Sequence, residues 1–123
     1  MPGERKILII DPDPKVRRQT ADCLSGLDYT VVTGRNLGEA IRKIPGGGFG
    51  CLLLDVDLPE MKGYEAVDVL KNLDPNLKII MTTSKNTKRR EARAREQDIF
   101  FYYIKSFGKE ELELAIENAF SEE

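Results

Sequence analysis

CLLLDVDLPEMKG, residues 51–63, is the stretch of sequence that decides the fold. Its first four residues, Cys51 to Leu54, are apolar and predict a strand that is buried on both faces of a sheet. The apolar run stops at Asp55, and the Asp, Pro and Gly residues after it predict a loop that enters a helix near Tyr64. Asp55 is therefore expected at the carboxyl end of a buried strand, where open α/β sheets collect functional groups. A purely strand-terminating role is the alternative at this point.

Length and composition indicate one domain over residues 1–123. The 123 residues are 41% hydrophobic and 33% charged, as is usual for a globular domain with a single core. No apolar run approaches the roughly 18 residues needed to cross a bilayer, and no signal-type segment follows the N-terminus. We therefore expect a cytoplasmic protein that does not enter a membrane. The formal net charge of −2 gives no reason to expect nucleic-acid binding.

The histidine and cysteine content limits the chemistry that the chain can perform. The sequence has no histidine, which excludes Ser/His/Asp and Cys/His catalysis and the usual zinc sites. Cys23 and Cys51 are isolated and fall on apolar positions, so we expect two buried free thiols. Carboxylates, hydroxyls and lysines remain as candidate functional groups.

Short apolar runs alternate with amphipathic segments and predict five strands and five helices. The strands are expected over residues 6–10, 29–33, 51–54, 78–81 and 99–104. The helices are expected after the N-caps Asp13 and Asn36, and over residues 64–73, 86–97 and 109–120. The apolar faces of the first two helices are expected to be Val16, Thr20, Cys23, Leu24 and Leu27, and Leu37, Ala40, Ile41 and Ile44. This alternation predicts an α/β fold, a doubly wound parallel sheet with helices on both faces.

Four chemically active residues follow the ends of predicted strands. A parallel sheet would bring Asp11, Asp55, Thr83 and Lys105 to one edge. Together with their surrounding motifs, ILIID, LLLDVDLPEMKG, KIIMTTS and YYIKSF, they resemble the receiver domain of two-component response regulators from Lys6 to Phe120. The resemblance implies a flavodoxin-like (βα)5 sheet with strand order 2-1-3-4-5. It also implies a phosphoryl acceptor in phosphorelay signalling, which at most dephosphorylates itself slowly and is not an enzyme.

The resemblance also implies a role for each residue of the site. Asp55 would be the phosphoryl acceptor, Asp11 a metal-binding acid, and Asp57 a metal ligand through its backbone carbonyl. Thr83 would contact the phosphoryl group, Lys105 would supply a counter-charge, and Tyr102 would be the switch aromatic together with Thr83. The cofactor would be Mg²⁺, and the phosphoryl donor a histidine kinase or a phosphotransfer protein.

General electrostatics explains why such a site needs cations. Two unit charges about 4 Å apart repel by about 4 kcal/mol at an effective dielectric constant of about 20, so a carboxylate accepts a phosphoryl group only when nearby negative charge is neutralised. Lys105 and a divalent cation would supply that neutralisation. Mg²⁺ fits best, because it is a hard ion that binds one or two carboxylates and phosphoryl oxygens at the same time.

Two residues depart from the pattern of the family. Pro12 stands where receivers usually have a second aspartate that binds the metal, so one ligand is lost unless Asp13 or the Asp57 side chain replaces it. Ser106 stands where a proline usually follows the lysine, and a cis bond before a residue other than proline costs about 2.5 to 4 kcal/mol. We therefore expect weakened Mg²⁺ binding and a trans or strained bond after Lys105. A pseudo-receiver that signals without phosphate is the alternative that these departures leave open.

A haloacid-dehalogenase-like phosphohydrolase is the enzyme alternative. That family also forms an aspartyl-phosphate, on an Asp-x-Asp pattern that Asp11-Pro12-Asp13 matches. Against it, Lys15 stands where that family usually has Thr or Val, and the chain has no later acidic pair after a strand. We therefore expect the receiver function and not the hydrolase.

The segment KNTKRREARARE, residues 85–96, carries six basic residues, of which Lys85 precedes the predicted fourth helix and five lie within it. A solvated helix face is one interpretation, because Glu91 and Glu96 lie at helical spacing from arginines. The other is a docking face for a downstream protein, formed by the basic helix, residues 85–97, together with Tyr102 and Tyr103 beside it. An acidic protein partner fits this face, whereas the chain offers no recognition-helix motif for DNA.

Overall fold

The computed structural model describes residues 4–121, and its strands follow the short apolar runs of the sequence. They are β1 (Lys6–Ile10), β2 (Thr30–Gly34), β3 (Cys51–Asp55), β4 (Lys78–Thr83) and β5 (Phe101–Ile104). The helices between and after them are α1 (Pro14–Ser25), α2 (Leu37–Lys43), α3 (Gly63–Leu73), α4 (Lys88–Arg95) and α5 (Lys109–Ser121). A single 3-10 turn, Lys105–Phe107, connects β5 to α5.

The five strands form one parallel sheet in the order β2-β1-β3-β4-β5. This confirms the predicted doubly wound α/β fold and its strand order. β3 lies in the middle of the sheet and is buried along its whole length, as its unbroken apolar run predicts. The register pairs Asp55 with Thr82 of β4, so the ends of the strands on either side of β3 lie at the same edge.

Two hydrophobic clusters cover the two faces of the sheet. One contains Leu24 of α1 and the inward residues of α5, which are Leu112, Ala115, Ile116 and Ala119. The other contains residues of the three middle helices: Leu37 and Ala40 of α2, Ala66, Val67 and Leu70 of α3, and Ala94 of α4. Alternate residues of each strand enter alternate clusters, because successive side chains of a strand point to opposite faces.

Some element boundaries differ from those that the sequence predicts. β4 continues through the hydroxyl residues to Thr83, since pairing with β5 extends to that position. α4 begins at Lys88 and not near Asn86, because the Thr87 side chain accepts a hydrogen bond from the Arg90 N–H and caps the helix there. β5 begins at Phe101, two residues later than predicted.

Five residues of the two predicted apolar faces are not fully buried, and two of them, Val16 and Thr20, are half-buried. Leu27 lies beyond the end of α1 and is 42% exposed, and Ile41 of the short helix α2 is 38% exposed. Cys23 is only half-buried, because it lies at the side of the α1 stripe, where its Sγ donates to Glu113 Oε2 at 3.3 Å. Cys51 is fully buried on β3, and both cysteines are free thiols as predicted.

The segment after β5 contains no cis peptide bond, in agreement with the trans alternative expected from Ser106. The turn ends at Gly108, whose φ of 99° lies in the region that favours glycine. The Tyr103 hydroxyl donates to the Gly108 carbonyl at 2.9 Å and holds the turn against the strand. Lys105 is thereby fixed at the sheet edge. Within residues 4–121, none of the helices has the length and apolar character needed to cross a membrane.

Gly63, the first residue of α3, lies directly below the end of β3. A side chain at this position would overlap the carbonyl oxygen of Asp55 and come within 3.0 Å of Met81 Sδ. Gly38 in α2 is different, because a Cβ there would meet its neighbours only at ordinary contact distances of 3.4 Å and more. α3 can therefore pack close to β3 only with glycine at residue 63.

We predict that Gly63→Ala lowers the free energy of unfolding by about 1 to 3 kcal/mol, because the extra methyl group forces the backbone apart. The matched variant Gly38→Ala should raise it by about 0.5 to 1 kcal/mol, because alanine restricts the unfolded chain and fits the helix. Urea unfolding of both variants measures the difference. Equal unfolding free energies would contradict the close packing of α3 against β3.

Candidate functional site

Three charged residues from different strands meet at the carboxyl edge of the sheet. Lys105 Nζ donates to Asp11 Oδ2 at 2.7 Å and to Asp55 Oδ1 at 2.6 Å. Asp11 and Asp55 are 4% and 5% exposed, so most of each residue is shielded from water. A buried carboxylate requires a compensating cation, and Lys105 provides one for both. The structure thus brings together three of the four strand-end residues that the sequence singles out.

Backbone N–H groups fix the orientation of both carboxylates. The Asp13 N–H donates to Asp11 Oδ1 at 2.9 Å, and the Asp57 N–H donates to Asp55 Oδ2 at 2.9 Å. In each case the donor lies two residues after the acid, so the loop following each strand folds back over its carboxylate. In each acid, one carboxylate oxygen therefore accepts a hydrogen bond from Lys105 and the other accepts one from the backbone of the loop that follows.

Burial and the lysine act in opposite directions on the protonation of this cluster. Burial raises the pKa of the Asp55 carboxyl above its ordinary value, although the hydrogen bond from Lys105 lowers it. Burial would lower the pKa of Lys105, but its hydrogen bonds to Asp11 and Asp55 raise it above the ordinary value. Asp55 is therefore a more basic carboxylate than an exposed aspartate, and Lys105 keeps its proton at neutral pH.

Thr83, at the end of β4, is fully buried, and its Oγ1 accepts a hydrogen bond from the Lys85 N–H at 3.2 Å. Tyr102 on β5 lies next to it and is also buried, and its hydroxyl donates to Asn86 Oδ1 at 2.8 Å. The two residues that the sequence pairs as a switch are therefore neighbours. Both connect to the loop that leads into α4.

Tyr103 does not lie beside the basic helix, contrary to the sequence-based expectation. It belongs to the cluster that α1 and α5 cover, whereas Tyr102 belongs to the cluster that includes α4. The cause is the alternation of side chains along β5, which sends consecutive residues to opposite faces. Only Tyr102 of the pair can contribute to a surface formed with α4.

Asp57 has a role that sequence reasoning missed. Its carboxylate accepts two hydrogen bonds from Arg90, with Nη1 to Oδ2 and Nη2 to Oδ1 both at 2.9 Å, and a third from Lys62 Nζ at 2.7 Å. The two bonds from Arg90, together with Lys62, hold the pKa of Asp57 at about 2. No local signal in the sequence indicates which of the six basic residues of the segment makes this contact.

Asp13 acts as the N-cap of α1. Its Oδ1 accepts hydrogen bonds from the Lys15 N–H at 3.0 Å and the Val16 N–H at 3.4 Å, as its position before Pro14 predicts. The carboxylate that the sequence offers as a replacement metal ligand is therefore already used by the helix. The Asp57 side chain, the other replacement, is bound to Arg90 and Lys62.

An open cleft of about 390 Å³ lies above these residues. Its charged lining consists of four carboxylates and three cations: Asp11, Asp13, Asp55, Asp57, Lys85, Arg90 and Lys105. Its uncharged lining residues are Pro12, Val16 and Ser84. The cleft has room for a group the size of phosphate, and its charges are close to balance.

Two of the carboxylates in the cleft could share a magnesium ion. Within residues 4–121, no three His, Cys, Asp or Glu side chains converge on one point that could hold a metal ion. Asp11 and Asp55 are two hard oxygen donors close enough to share one cation, since both contact Lys105 Nζ. Mg²⁺ commonly binds one or two carboxylates and completes its shell with water and phosphate oxygens, so these residues fit that ion.

Comparison with known proteins agrees with this geometry. Residues 7–117 match the family model described as the response regulator receiver domain. The regulator NtrC of Azospirillum brasilense is 29% identical over 113 residues, which are 92% of this chain and 24% of that protein. The chain thus spans about a quarter of the length of this curated relative.

Solved structures show the same architecture. A CheY-like receiver domain protein from Methanospirillum hungatei has a TM-score of 0.90 and 27% identity, covering 98% of this chain and 96% of that one. The response regulator TrrA of Thermotoga maritima, solved in complex with Mg²⁺ and BeF, has a TM-score of 0.82 and 26% identity, covering 94% of this chain and 98% of that one.

The extent of the family match decides against the phosphohydrolase alternative, because it covers the strand ends that carry Asp11, Asp55, Thr83 and Lys105 in one continuous stretch. The fold, the order of the strands and the charged residues at their ends all agree with it. This chain belongs to the response regulator receiver domain family, whose members accept a phosphoryl group on an aspartate in two-component signalling and are not true enzymes.

Proposed function

We propose that Asp55 is the phosphoryl acceptor of this receiver, that Lys105 is its counter-charge and that Thr83 contacts the phosphoryl group. The observation that carries this proposal is the position of the Asp55 carboxylate, buried at the end of the central strand, bound to Lys105 and open to the cleft. The raised pKa of Asp55 supports it, because a more basic carboxylate is a better nucleophile. Asp57 and Asp13, by contrast, are engaged by side-chain and backbone donors.

The proposed reaction is a direct phosphoryl transfer. An oxygen of the ionised Asp55 carboxylate attacks the phosphorus of the donor, and a new O–P bond forms. With a phosphohistidine donor the P–N bond breaks, its electron pair stays on the imidazole nitrogen, and a proton from solvent completes the neutral imidazole. Lys105 remains protonated throughout and, after transfer, offsets the negative charge of the phosphoryl group on Asp55.

The carboxylates of Asp11 and Asp55 and the backbone carbonyl of Asp57 would hold Mg²⁺. The ion would neutralise the phosphoryl oxygens during transfer. Asp11 contributes a carboxylate that its own loop already orients, through the Asp13 N–H. Because Asp13 caps α1 and the Asp57 side chain is bound to Arg90, we propose that neither replaces the ligand missing at Pro12.

The proposed phosphoryl donor is a histidine kinase or a phosphotransfer protein, in keeping with the family. The proposed downstream face is formed by the basic segment, residues 85–97, and Tyr102, and an acidic protein surface would complement it. We propose that residues 1–123 form one receiver domain that acts in the cytoplasm. The two free thiols fit that reducing compartment.

We predict that Asp55→Asn abolishes the gain of one phosphoryl mass when the protein is incubated with acetyl phosphate and Mg²⁺. The amide cannot act as the nucleophile, although it can still accept the Asp57 N–H. Intact mass spectrometry of the parent and the variant measures the outcome. The control Asp68→Asn makes the same substitution on the exposed face of α3 and should be labelled like the parent.

Labelling of the Asp55→Asn protein would contradict the assignment of the acceptor. A parent that is never labelled, and whose amide signals do not respond to beryllofluoride with Mg²⁺, would favour the pseudo-receiver. In that case the charged cleft would serve protein binding alone.

We predict that Pro12→Asp makes the protein less stable in EDTA but increases the stabilisation that Mg²⁺ provides. The unfolded chain regains about 0.4 to 1 kcal/mol of entropy without the proline, and a further negative charge lies near Asp11 and Asp55. The added carboxylate binds the ion more tightly, and ligand binding stabilises the folded state by RT ln(1 + [L]/Kd). Magnesium titrations of the thermal midpoint of both proteins measure this. Equal gains would show that Pro12 does not weaken the metal site.

A further inference from the structure

A second cluster of charges borders the cleft that contains Asp55, and the family pattern does not assign a role to its side chains. It consists of Asp57, Arg90 and Lys62. Arg90 reaches Asp57 from the first turn of α4 with both guanidinium nitrogens at 2.9 Å, and Lys62 reaches it from the loop before α3 at 2.7 Å. The Arg90 side chain is 22% exposed and the Asp57 side chain 36%, so the pair borders the cleft and is partly open to solvent.

The two clusters are joined through one residue. The Asp57 N–H donates to Asp55 Oδ2 at 2.9 Å, while the Asp57 carboxylate binds Arg90. Both Asp55 and Arg90 line the cleft, together with Lys85 and Lys105. A group attached to Asp55 would therefore be placed in the space that the Arg90 guanidinium borders.

The charges of the cleft make Arg90 available to such a group. A phosphoryl group adds negative charge to a cleft whose four carboxylates and three cations are close to balance. Arginine binds phosphate oxygens with the same two-pronged geometry that it uses on a carboxylate. Asp57 can release Arg90 without becoming unpaired, because Lys62 stays bound to it.

Arg90 is also tied to the beginning of α4. Its N–H donates to Thr87 Oγ1 at 3.0 Å in the cap of that helix. Asn86, in the same loop, accepts a hydrogen bond from Tyr102. A movement of the Arg90 side chain towards Asp55 therefore acts on the first turn of α4 and on the contact of Tyr102.

We propose that Arg90 moves from the Asp57 carboxylate to the phosphoryl group on Asp55 and thereby transmits phosphorylation to α4. The exchange rests on the proposed function, since it requires Asp55 to carry the group. It makes and breaks no covalent bond: Asp57 keeps Lys62, and the guanidinium changes one anionic partner for another.

The test is a double-mutant cycle on the affinity of the protein for beryllofluoride in the presence of Mg²⁺, measured by titration of the strand-end amide signals. Arg90→Gln removes the cation, so we expect a loss of about tenfold. Asp57→Asn removes the competing anion and frees Arg90, so we expect a gain of several-fold. In the Arg90→Gln background the gain from Asp57→Asn should disappear.

The double-mutant cycle distinguishes movement of Arg90 to the bound anion from a general electrostatic effect of the Asp57 charge. Removing the negative charge of Asp57 would also strengthen anion binding simply by reducing electrostatic repulsion. That gain would be the same whether residue 90 is Arg or Gln. Equal gains, or an unchanged affinity in Arg90→Gln, would overturn the proposal. The control Arg18→Gln removes the same charge from the exposed face of α1 and should change the affinity by less than about twofold.

The amide signals of α4 provide a second readout. In the parent, beryllofluoride should shift the signals of residues 88–91 together with those of residues 11 and 55. In Arg90→Gln, the signals of residues 11 and 55 should still shift, whereas those of residues 88–91 should not. A full α4 response without Arg90 would overturn this proposal and leave the acceptor assignment intact. A parent that binds no beryllofluoride would overturn the acceptor assignment as well.

Discussion

The structure depends on one shared cation, the Lys105 ammonium between Asp11 and Asp55. The three residues lie at the ends of three different strands, and each would be costly to bury alone. Breaking a buried pair by removing one partner typically costs about 3 to 5 kcal/mol, because an uncompensated charge remains. The register of β1, β3 and β5 must therefore bring these strand ends together, and the parallel sheet is what allows residues so distant in sequence to meet.

The other carboxylates of the cleft are also compensated by partners within the protein. Asp13 is satisfied by the N-terminus of α1, and Asp57 by Arg90 and Lys62, so every acid around the site has a partner within the protein. Pro12 fits this arrangement, because a further acid at that position would find Lys105 already shared by two carboxylates. The cleft is consequently less negative than its four aspartates suggest. Two of the three cations that could offset an added phosphoryl group, Arg90 and Lys105, are already bound to aspartates.

The sequence predicts the fold well, because short apolar runs and helix caps such as Asp13 are local signals. The residues Asp11, Asp55 and Lys105 could be found for the same reason: each directly follows a predicted strand, and parallel strands share an edge. The contact of Arg90 with Asp57 could not be found, because it spans 33 positions and depends on the rotation of α4 about its axis. The prediction that Tyr103 lies beside the basic helix was wrong for a simpler reason. Adjacent residues on a strand point to opposite faces of the sheet, so Tyr102 and Tyr103 cannot both face α4.

α4 is held in place differently from α3 and α5, each of which buries four residues. Of its eight residues Ala94 is the buried one, so little apolar surface fixes its position on the sheet. Its first turn is instead attached by polar contacts, which are the Arg90 fork on Asp57 and the bond of Tyr102 to Asn86 just before the helix. Apolar packing does not respond to a charge, whereas an ion pair does. A change of charge at the end of β3 therefore acts more strongly on α4 than on α3 or α5, whose buried stripes are longer.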